Sequence, residues 1–195
     1  IKTSTFIMAP LMMGLAFCAE PIVRLILTDK WLPCVPFLRI FCITYMFYPI
    51  HTANLNAIKA MGRSDLFLKL EIIKMAIGMG LLLSTMYFGV MAMAYSMLVS
   101  GILSQIINSW PNRKLLNYTY FEQLKDILPG VALALFMGCC ISLISLFHFP
   151  STVTLLIQIP LGALIYIGLS AILHLEIFEY LIGILRSTLK KLTRK

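Results

Sequence analysis

The sequence predicts an all-α membrane protein in which six transmembrane helices form a bundle and a basic amphipathic helix follows them. Of the 195 residues, 60% are hydrophobic and 12% are charged, whereas about 25% are charged in ordinary soluble domains. The mean hydropathy is +0.92, and a soluble chain of this length has too small an interior to bury so much apolar surface. The excess apolar surface is therefore expected to face lipid.

Six apolar runs follow one another along the chain, each near the roughly 20 residues that a helix needs to cross a bilayer core about 30 Å thick. They cover residues 6–27, 36–58, 66–88, 90–110, 127–149 and 155–175. The runs lack the polar face that a helix on the surface of a soluble protein would show. We therefore expect residues 1–175 to form one six-helix transmembrane domain.

The third, fourth and fifth segments carry signals of where their helices begin and turn. The third segment starts with Lys69, Glu71 and Lys74, which places its first turns at the level of the lipid headgroups. Gly89 separates the third segment from the fourth, so these two are expected to form a tight antiparallel hairpin. Pro129 suits the first turn of the fifth helix, where its missing amide hydrogen costs least.

Residues 176–195 are amphipathic, unlike the six apolar segments. Ile177, Leu181 and Leu185 follow one another at four-residue steps, and Arg186 and Lys190 lie on the opposite face. This pattern predicts a basic amphipathic helix that lies in the cytoplasmic interface of the membrane. Binding of a partner by the same helix is the alternative.

The distribution of basic residues predicts the orientation in the membrane. Thirteen of the sixteen Lys and Arg residues fall on one side if the six segments alternate in direction. These residues are Lys2, Lys59, Arg63, Lys69, Lys74, Arg113, Lys114, Lys125, Arg186, Lys190, Lys191, Arg194 and Lys195. Because Lys and Arg accumulate on the cytoplasmic side, both ends of the chain are expected in the cytoplasm. Topology and attraction to anionic lipid explain the net charge of +8, so no nucleic-acid partner is predicted.

The sequence carries no motif of a catalytic, cofactor or metal site. Its five cysteines are an odd number without a CxxC pair, which argues against a disulfide scaffold or a zinc site. A Gly-rich phosphate loop, a Ser/His/Asp arrangement and a His/Cys/carboxylate cluster of metal-ligand spacing are also absent from the sequence. We therefore predict neither an enzyme nor a bound cofactor or metal.

Ionisable residues at the outward ends of the first two segments are candidate functional residues, because such groups are costly in a membrane. Glu20 and Arg24 are four positions apart and can pair along one face of a helix. An ion pair that only makes the helix tolerable in lipid is the alternative. Arg39 has no acidic residue nearby in the sequence, which makes it the better candidate to meet an anion.

A polar band in the second segment supplies the remaining candidates. It consists of His51, Asn54, Asn56 and Lys59, together with Thr52. Such a band is too polar to face lipid, so it is expected to face the bundle interior or an aqueous cavity. Helix capping and hydrogen bonding between helices are the alternative explanation.

Small residues recur at every fourth position in two segments. The rows are Ala92, Ser96, Ser100, Ser104 and Asn108 in the fourth segment, and Gly130, Ala134, Gly138 and Ser142 in the fifth. Residues four apart share one helix face, and small side chains let membrane helices approach closely. We expect both rows to pack against other helices, with a pore lining as the alternative.

A series of motifs over residues 6–125 resembles a known family. The motifs are Pro10 with Gly14-Leu15, then Ala19-Glu20-Pro21, a short loop ending in Trp31, Pro36-Phe37-Leu38-Arg39, and Ala60-Met61-Gly62-Arg63-Ser64-Asp65. In this order and spacing they resemble the carboxy-terminal half of bacterial polysaccharide exporters and Wzx-type flippases of lipid-linked oligosaccharides. These proteins belong to the multidrug/oligosaccharidyl-lipid/polysaccharide exporter superfamily.

The resemblance implies a fold of about twelve to fourteen helices, arranged as two pseudo-symmetric lobes around a central cavity that opens to alternate sides. Six helices would form one lobe. Because the sequence starts at Ile1 without a Met, we expect it to be the carboxy-terminal lobe, with the amino-terminal lobe of the same protein and the lipid bilayer as partners. The resemblance also implies a bacterial inner-membrane location.

The resemblance further implies a substrate. Cationic residues that face the cavity in this family are thought to meet the diphosphate or acidic sugars of an undecaprenyl-diphosphate-linked oligosaccharide. This role is carried over to Arg24 and Arg39, and more weakly to Lys59 and His51. The implied function is translocation of a polysaccharide repeat unit such as O-antigen, with no bond made or broken.

Three alternatives to a flippase stay open. A cation-coupled multidrug antiporter of the same fold is expected to hold a carboxylate deep in its cavity, whereas Glu20 lies near the end of its segment. A membrane-embedded glycan polymerase or glycosyltransferase usually needs large outward loops, and the predicted outward loops here are a few residues long. A passive assembly subunit fits a bare helix bundle, but the polar band of the second segment argues against it.

Overall fold

The computed structural model describes residues 1–147 and 149–192. Within these ranges every regular element is a helix and no strand is present, so the all-α prediction is confirmed. Residue 148 of the fifth predicted segment lies outside the described residues. The same is true of Arg194 and Lys195 in the predicted tail.

Nine α-helices follow one another in the described part of the chain. They are α1 (Lys2–Phe17), α2 (Ala19–Leu27), α3 (Val35–Met46), α4 (Tyr48–Ala60), α5 (Ser64–Thr85), α6 (Val90–Leu115), α7 (Tyr120–Ser142), α8 (Ser151–Ile172) and α9 (Glu176–Leu192). The first predicted segment corresponds to α1 and α2, and the second to α3 and α4. The other four correspond to α5, α6, α7 and α8, and the predicted tail corresponds to α9. The prediction that Pro129 lies in a first turn is wrong, because α7 begins at Tyr120 and contains Pro129 in its interior.

Four stretches of the described chain are long and apolar enough to cross a membrane. They are Asp29–Ala60, Val90–Arg113, Tyr120–Phe147 and Ser151–Ile172. A fifth crossing is obtained if α1 and α2, which are bent by 66°, are counted as one span. The protein is therefore a multi-pass membrane protein by length and composition, with four to five candidate spans against the six predicted.

Helix α5 accounts for the difference in the number of spans. It has 22 residues, which at about 1.5 Å per residue is long enough to cross a bilayer core. However, every 18-residue stretch within it contains Lys69, Glu71 and Lys74. The charges near its start, rather than its length, keep it out of the candidate spans.

The break between α1 and α2 has a proline as its cause. Pro21 has no amide hydrogen, so the carbonyl of Phe17 cannot receive the helical hydrogen bond from residue 21. The first helix accordingly ends at Phe17, and the second begins at Ala19 with Pro21 in its first turn. The continuous helix over residues 6–27 that hydropathy predicts is not formed. Pro49 lies in the first turn of α4 and accompanies the break between α3 and α4 in the same way.

A second proline, Pro10, lies inside α1 without breaking it. Its missing amide leaves the carbonyl of Phe6 without a helical donor. The hydroxyl of Tyr166 in α8 donates to this carbonyl at 2.8 Å, and the rings of Phe6 and Tyr166 lie 5.0 Å apart. A neighbouring helix thus supplies the donor that water cannot supply in the membrane.

The main core lies where α1 packs on α7. Its buried residues are Phe6, Ala9, Met13, Met46, Leu133, Ala134, Met137 and Tyr166. The small-residue row of α7 faces this contact, since a side chain added at Gly138 would overlap the ring of Phe17 and one at Gly130 would touch Phe6. This row has the packing position that its spacing predicts.

Candidate functional site

A cavity of about 420 Å³ lies where the break between α1 and α2 faces α3 and α7. Its lining includes two of the predicted site residues, Glu20 and Arg39, together with the hydroxyl-bearing Ser142 and Ser145. We call it the Arg39 cavity. The structure thus brings together two candidates that belong to different predicted segments.

Arg39 joins α3 to the broken helix through one hydrogen bond. Its Nε donates to the carbonyl of Ala16 at 3.3 Å, in the last turn of α1, where helical donors are missing. Its two terminal nitrogens have no hydrogen-bond or ion-pair partner among residues 1–147 and 149–192. Arg39 therefore has no ion-pair partner among the described residues, and the four N–H groups of its two terminal nitrogens are left for an anion.

Arg24 lies in a group of three charged side chains at the end of α2. One terminal nitrogen donates to Glu20 Oε1 at 3.0 Å, and the other donates to Asp29 Oδ1 at 3.2 Å. The predicted pairing of Glu20 with Arg24 is therefore present, and Asp29 adds a second acid. Two carboxylates compensate the charge of Arg24, whereas none compensates that of Arg39.

Asn54, from the polar band of α4, is the centre of a buried hydrogen-bond network. Its Nδ2 donates to Ser109 Oγ at 3.0 Å and to Gln123 Oε1 at 2.7 Å. Its Oδ1 accepts from Asn112 Nδ2 at 2.7 Å and from Gln123 Nε2 at 3.2 Å. Only 2% of Asn54 is exposed. Both donors and both acceptor positions of its side-chain amide are occupied by hydrogen bonds that connect α4 with α6 and α7.

The other members of the polar band have different surroundings. His51 Nδ1 is 2.8 Å from Asn108 Nδ2 on α6, and its ring stacks on Tyr48 with centroids 5.6 Å apart. Asn56 is exposed. Lys59 is exposed as well, and its ammonium lies 4.3 Å from the centre of the Phe67 ring. The band therefore does not converge on the Arg39 cavity.

Sequence reasoning missed the partners of the Asn54 network. Ser109, Asn112 and Gln123 are each at most 2% exposed, and they come from the end of α6 and the start of α7. A signal was present, because Gln105, Asn108, Ser109 and Asn112 recur at three- and four-residue steps in an apolar helix. Polar side chains in that arrangement share one face and indicate a contact with another helix.

An ion pair connects the start of α1 with the first turns of α7. Lys2 Nζ lies 3.1 Å from Asp126 Oδ1, and Asp126 also accepts from the hydroxyl of Tyr118 at 2.6 Å. Burial and this hydrogen bond raise the pKa of Tyr118 above its usual value. The contact places Lys2 and Asp126 at the same end of the bundle.

Residues 1–36 match a protein family described as polysaccharide biosynthesis protein. The matched stretch contains α1, the break, α2 and the Glu20–Arg24 pair. No curated protein and no solved structure matches the chain. The match supports a relation to polysaccharide biosynthesis and export proteins in general, and such proteins are typically transporters rather than enzymes.

Proposed function

We propose that this chain is one lobe of a flippase that moves a lipid-linked oligosaccharide across the bacterial inner membrane by alternating access. The observation that carries the proposal is the uncompensated guanidinium of Arg39 beside a cavity, in a chain whose first 36 residues match a polysaccharide biosynthesis family. An uncompensated cation near the end of a membrane-spanning segment is unfavourable. A translocated anion would offset this cost during transport.

The substrate anion is proposed to be the diphosphate of an undecaprenyl-diphosphate-linked oligosaccharide. A diphosphate presents several oxygens, and the planar guanidinium fork can bind two of them at once. The nitrogens of Arg39 that would bind them are the two without partners among the described residues. Because a single lobe offers only one wall, the second lobe would complete the cavity.

Six crossings remain part of this proposal, and they satisfy the contact between Lys2 and Asp126, which requires an even number of crossings before α7. Residues at the same end of a bundle are separated by an even number of crossings. The spans Asp29–Ala60 and Val90–Arg113 lie between Lys2 and Asp126, so the bent pair of α1 and α2 either crosses together with α5 or neither crosses. Crossing by both gives four before α7 and six in total.

The proposed orientation places both ends of the chain in the cytoplasm, because thirteen of sixteen basic residues then lie inside. Single cysteines placed at positions 30 and 118 in a cysteine-free background test this orientation. In intact cells an impermeant maleimide should label position 30 and not position 118. The reverse pattern would show that the orientation is inverted.

Substitution of Arg39 in the complete native protein tests the proposed function. Arg39→Gln retains a side-chain donor for the Ala16 carbonyl but removes the charge, so protein level should stay near normal while glycan export falls. Arg39→Lys should recover part of the export, because an ammonium cannot bind two oxygens in a planar fork. The measurement is surface polysaccharide per unit of membrane-inserted protein in a strain that lacks the native exporter.

Arg63→Gln is the matched control. Arg63 is paired with Asp65 at 3.2 Å outside the candidate spans, so its loss should leave export unchanged. Full export by Arg39→Gln at matched protein level would refute the role of Arg39 and remove the observation that carries the proposal.

Glu20 favours a second candidate function, the cation-coupled multidrug antiporter, because this acidic residue lines the Arg39 cavity. A double substitution of Glu20→Gln with Arg24→Gln removes the carboxylate without leaving an unpaired arginine. The flippase proposal expects this variant to export glycan, since the ion pair is structural. Loss of export at normal protein level, together with loss of drug resistance conferred by the wild-type protein, would favour the antiporter.

A further inference from the structure

A second cavity, of about 400 Å³, lies between α3, α4, α5 and α6. We call it the Tyr48 cavity. Eight of its lining residues carry hydroxyl, imidazole or amide groups, namely Thr44, Tyr45, Tyr48, His51, Ser96, Ser100, Ser104 and Gln105. So many polar groups line one cavity in a chain that is 60% hydrophobic, and none of them belongs to the Arg39 cavity.

Four of these eight side chains have no hydrogen-bond partner in the described part of the chain, whereas Thr44 and Ser96 donate to backbone carbonyls of their own helices. The hydroxyls of Tyr45, Tyr48, Ser100 and Ser104 make no hydrogen bond there. Gln105 is only 5% exposed; its Oε1 accepts from Tyr120 at 3.4 Å, while its Nε2 has no partner among the described residues. A polar group left unsatisfied in hydrocarbon costs several kcal/mol, so a lipid chain is a poor occupant of this cavity.

The lining of the cavity indicates that its occupant is neutral, and the nearby Lys74 and Glu71 pair with each other at 2.6 Å. None of its lining residues is an Asp, Glu, Lys or Arg, and an ion enclosed there would lack a counter-ion. His51 contributes a ring that stacks on Tyr48 with centroids 5.6 Å apart and planes inclined by 22°. The cavity thus combines an aromatic face with separate hydroxyl and amide groups.

A sugar ring has matching chemistry, with hydroxyls around its rim and an apolar C–H face. Hydroxyls both donate and accept hydrogen bonds, so they can satisfy the serine and tyrosine hydroxyls and the Gln105 amide together. A volume of about 400 Å³ lies within the range of roughly 300–1,000 Å³ that ligand pockets occupy. Water alone would satisfy the polar groups but would make no apolar contact with the aromatic rings of the lining.

We propose that the Tyr48 cavity binds one neutral sugar unit of the glycan, separately from the diphosphate that Arg39 meets. The inference rests on the proposed function, because the sugar is taken to belong to the translocated oligosaccharide. The inference also gives the small-residue row of α6 a role beyond helix packing, because Ser96, Ser100 and Ser104 of that row line the cavity. Ser100 lies within van der Waals reach of Gly78 on α5 and lines the cavity as well.

Binding of simple glycosides by the purified, detergent-solubilised native protein tests this inference without any transport assay. The probes are the methyl glycosides of glucose, galactose and N-acetylglucosamine, and the readout is saturation-transfer NMR with competition titrations. At least one glycoside should bind, and Tyr48→Leu and Gln105→Leu should each weaken its binding roughly tenfold, the usual effect of one lost contact. Tyr87→Leu is the control, since Tyr87 is 85% exposed and outside the cavity.

Two milder variants keep the test decisive if a leucine variant does not fold. Tyr48→Phe keeps the ring and Ser104→Ala keeps the helix contact, so both should fold as judged by size-exclusion chromatography while still weakening binding. Saturation transfer to none of the three glycosides would mean that the cavity holds water only, and this would overturn the inference. Glycoside binding that all cavity variants leave unchanged would overturn it equally.

The outcomes also separate this inference from the flippase proposal. Arg39→Gln should abolish export and leave glycoside binding intact, because the two cavities have no lining residue in common. Glycoside binding together with export that does not depend on Arg39 would reject the flippase argument alone. Export that depends on Arg39 without any glycoside binding would reject the sugar site alone.

Discussion

Replacement of Asn54 by alanine is expected to destabilise the bundle strongly, because four interhelical hydrogen bonds converge on its amide. Interhelical hydrogen bonds in membrane proteins are worth about 0.6 kcal/mol on average, so their loss alone costs about 2 kcal/mol. The variant also leaves the buried Nε2 of Gln123 without its acceptor, which adds about 1–3 kcal/mol, while Gln123 Oε1 keeps the hydroxyl of Ser109 as a donor at 3.2 Å. We expect the free energy of unfolding to fall by about 3–5 kcal/mol.

The assay is unfolding by sodium dodecyl sulfate in mixed micelles, followed by circular dichroism. Asn56→Ala is the matched control, since it changes the same residue type on the same helix at an exposed position and should alter stability by at most about 0.5 kcal/mol. The double variant Asn54→Ala with Gln123→Ala should lower the free energy of unfolding by less than the sum of the two single variants. The reason is that each single variant leaves the other residue's amide without its hydrogen-bond partner.

Equal stability of Asn54→Ala and Asn56→Ala would refute this reasoning. It would mean that the amides of Gln123 and Asn112 find other partners, and that the network does not join α4 to α6 and α7. Lower stability with normal export per folded molecule would fit a structural network. Loss of export from fully stable Asn54→Ala protein would instead make Asn54 a binding residue.

Two further predictions concern helix packing. Tyr166→Phe should lower the free energy of unfolding by about 1 kcal/mol, because the carbonyl of Phe6 loses its donor; the loss should shrink in a Pro10→Ala background, where residue 10 regains its amide. An equal loss in both backgrounds in the same unfolding assay would contradict the argument. Gly138→Leu should reduce the folded yield on size-exclusion chromatography, because its side chain would overlap an aromatic ring, whereas Gly168→Leu, with open space around it, should not. Equal folded yields of the two variants would show that the contact between α1 and α7 accommodates a leucine at position 138 without loss of folded protein.

The sequence by itself determined the features that depend on composition and on neighbours along the chain. Hydropathy alone gave a multi-pass helical protein, because a chain this apolar has no stable alternative to lipid. The pairing of Glu20 with Arg24 was also readable, since residues four apart meet on any helix. Pro21 was a further readable signal, and it marks the break that hydropathy alone overlooks.

Only the tertiary structure decided which side chains meet across the bundle. Asn54 and Gln123 are 69 positions apart, and no spacing rule connects them. Glu20 and Arg39 line one cavity, whereas His51 and Asn54, one turn apart on α4, contact separate groups on α6. Such contacts depend on how each helix is rotated about its axis. In a helix that is apolar on nearly every face, hydropathy leaves this rotation undetermined, and packing together with satisfaction of the few polar groups determines it.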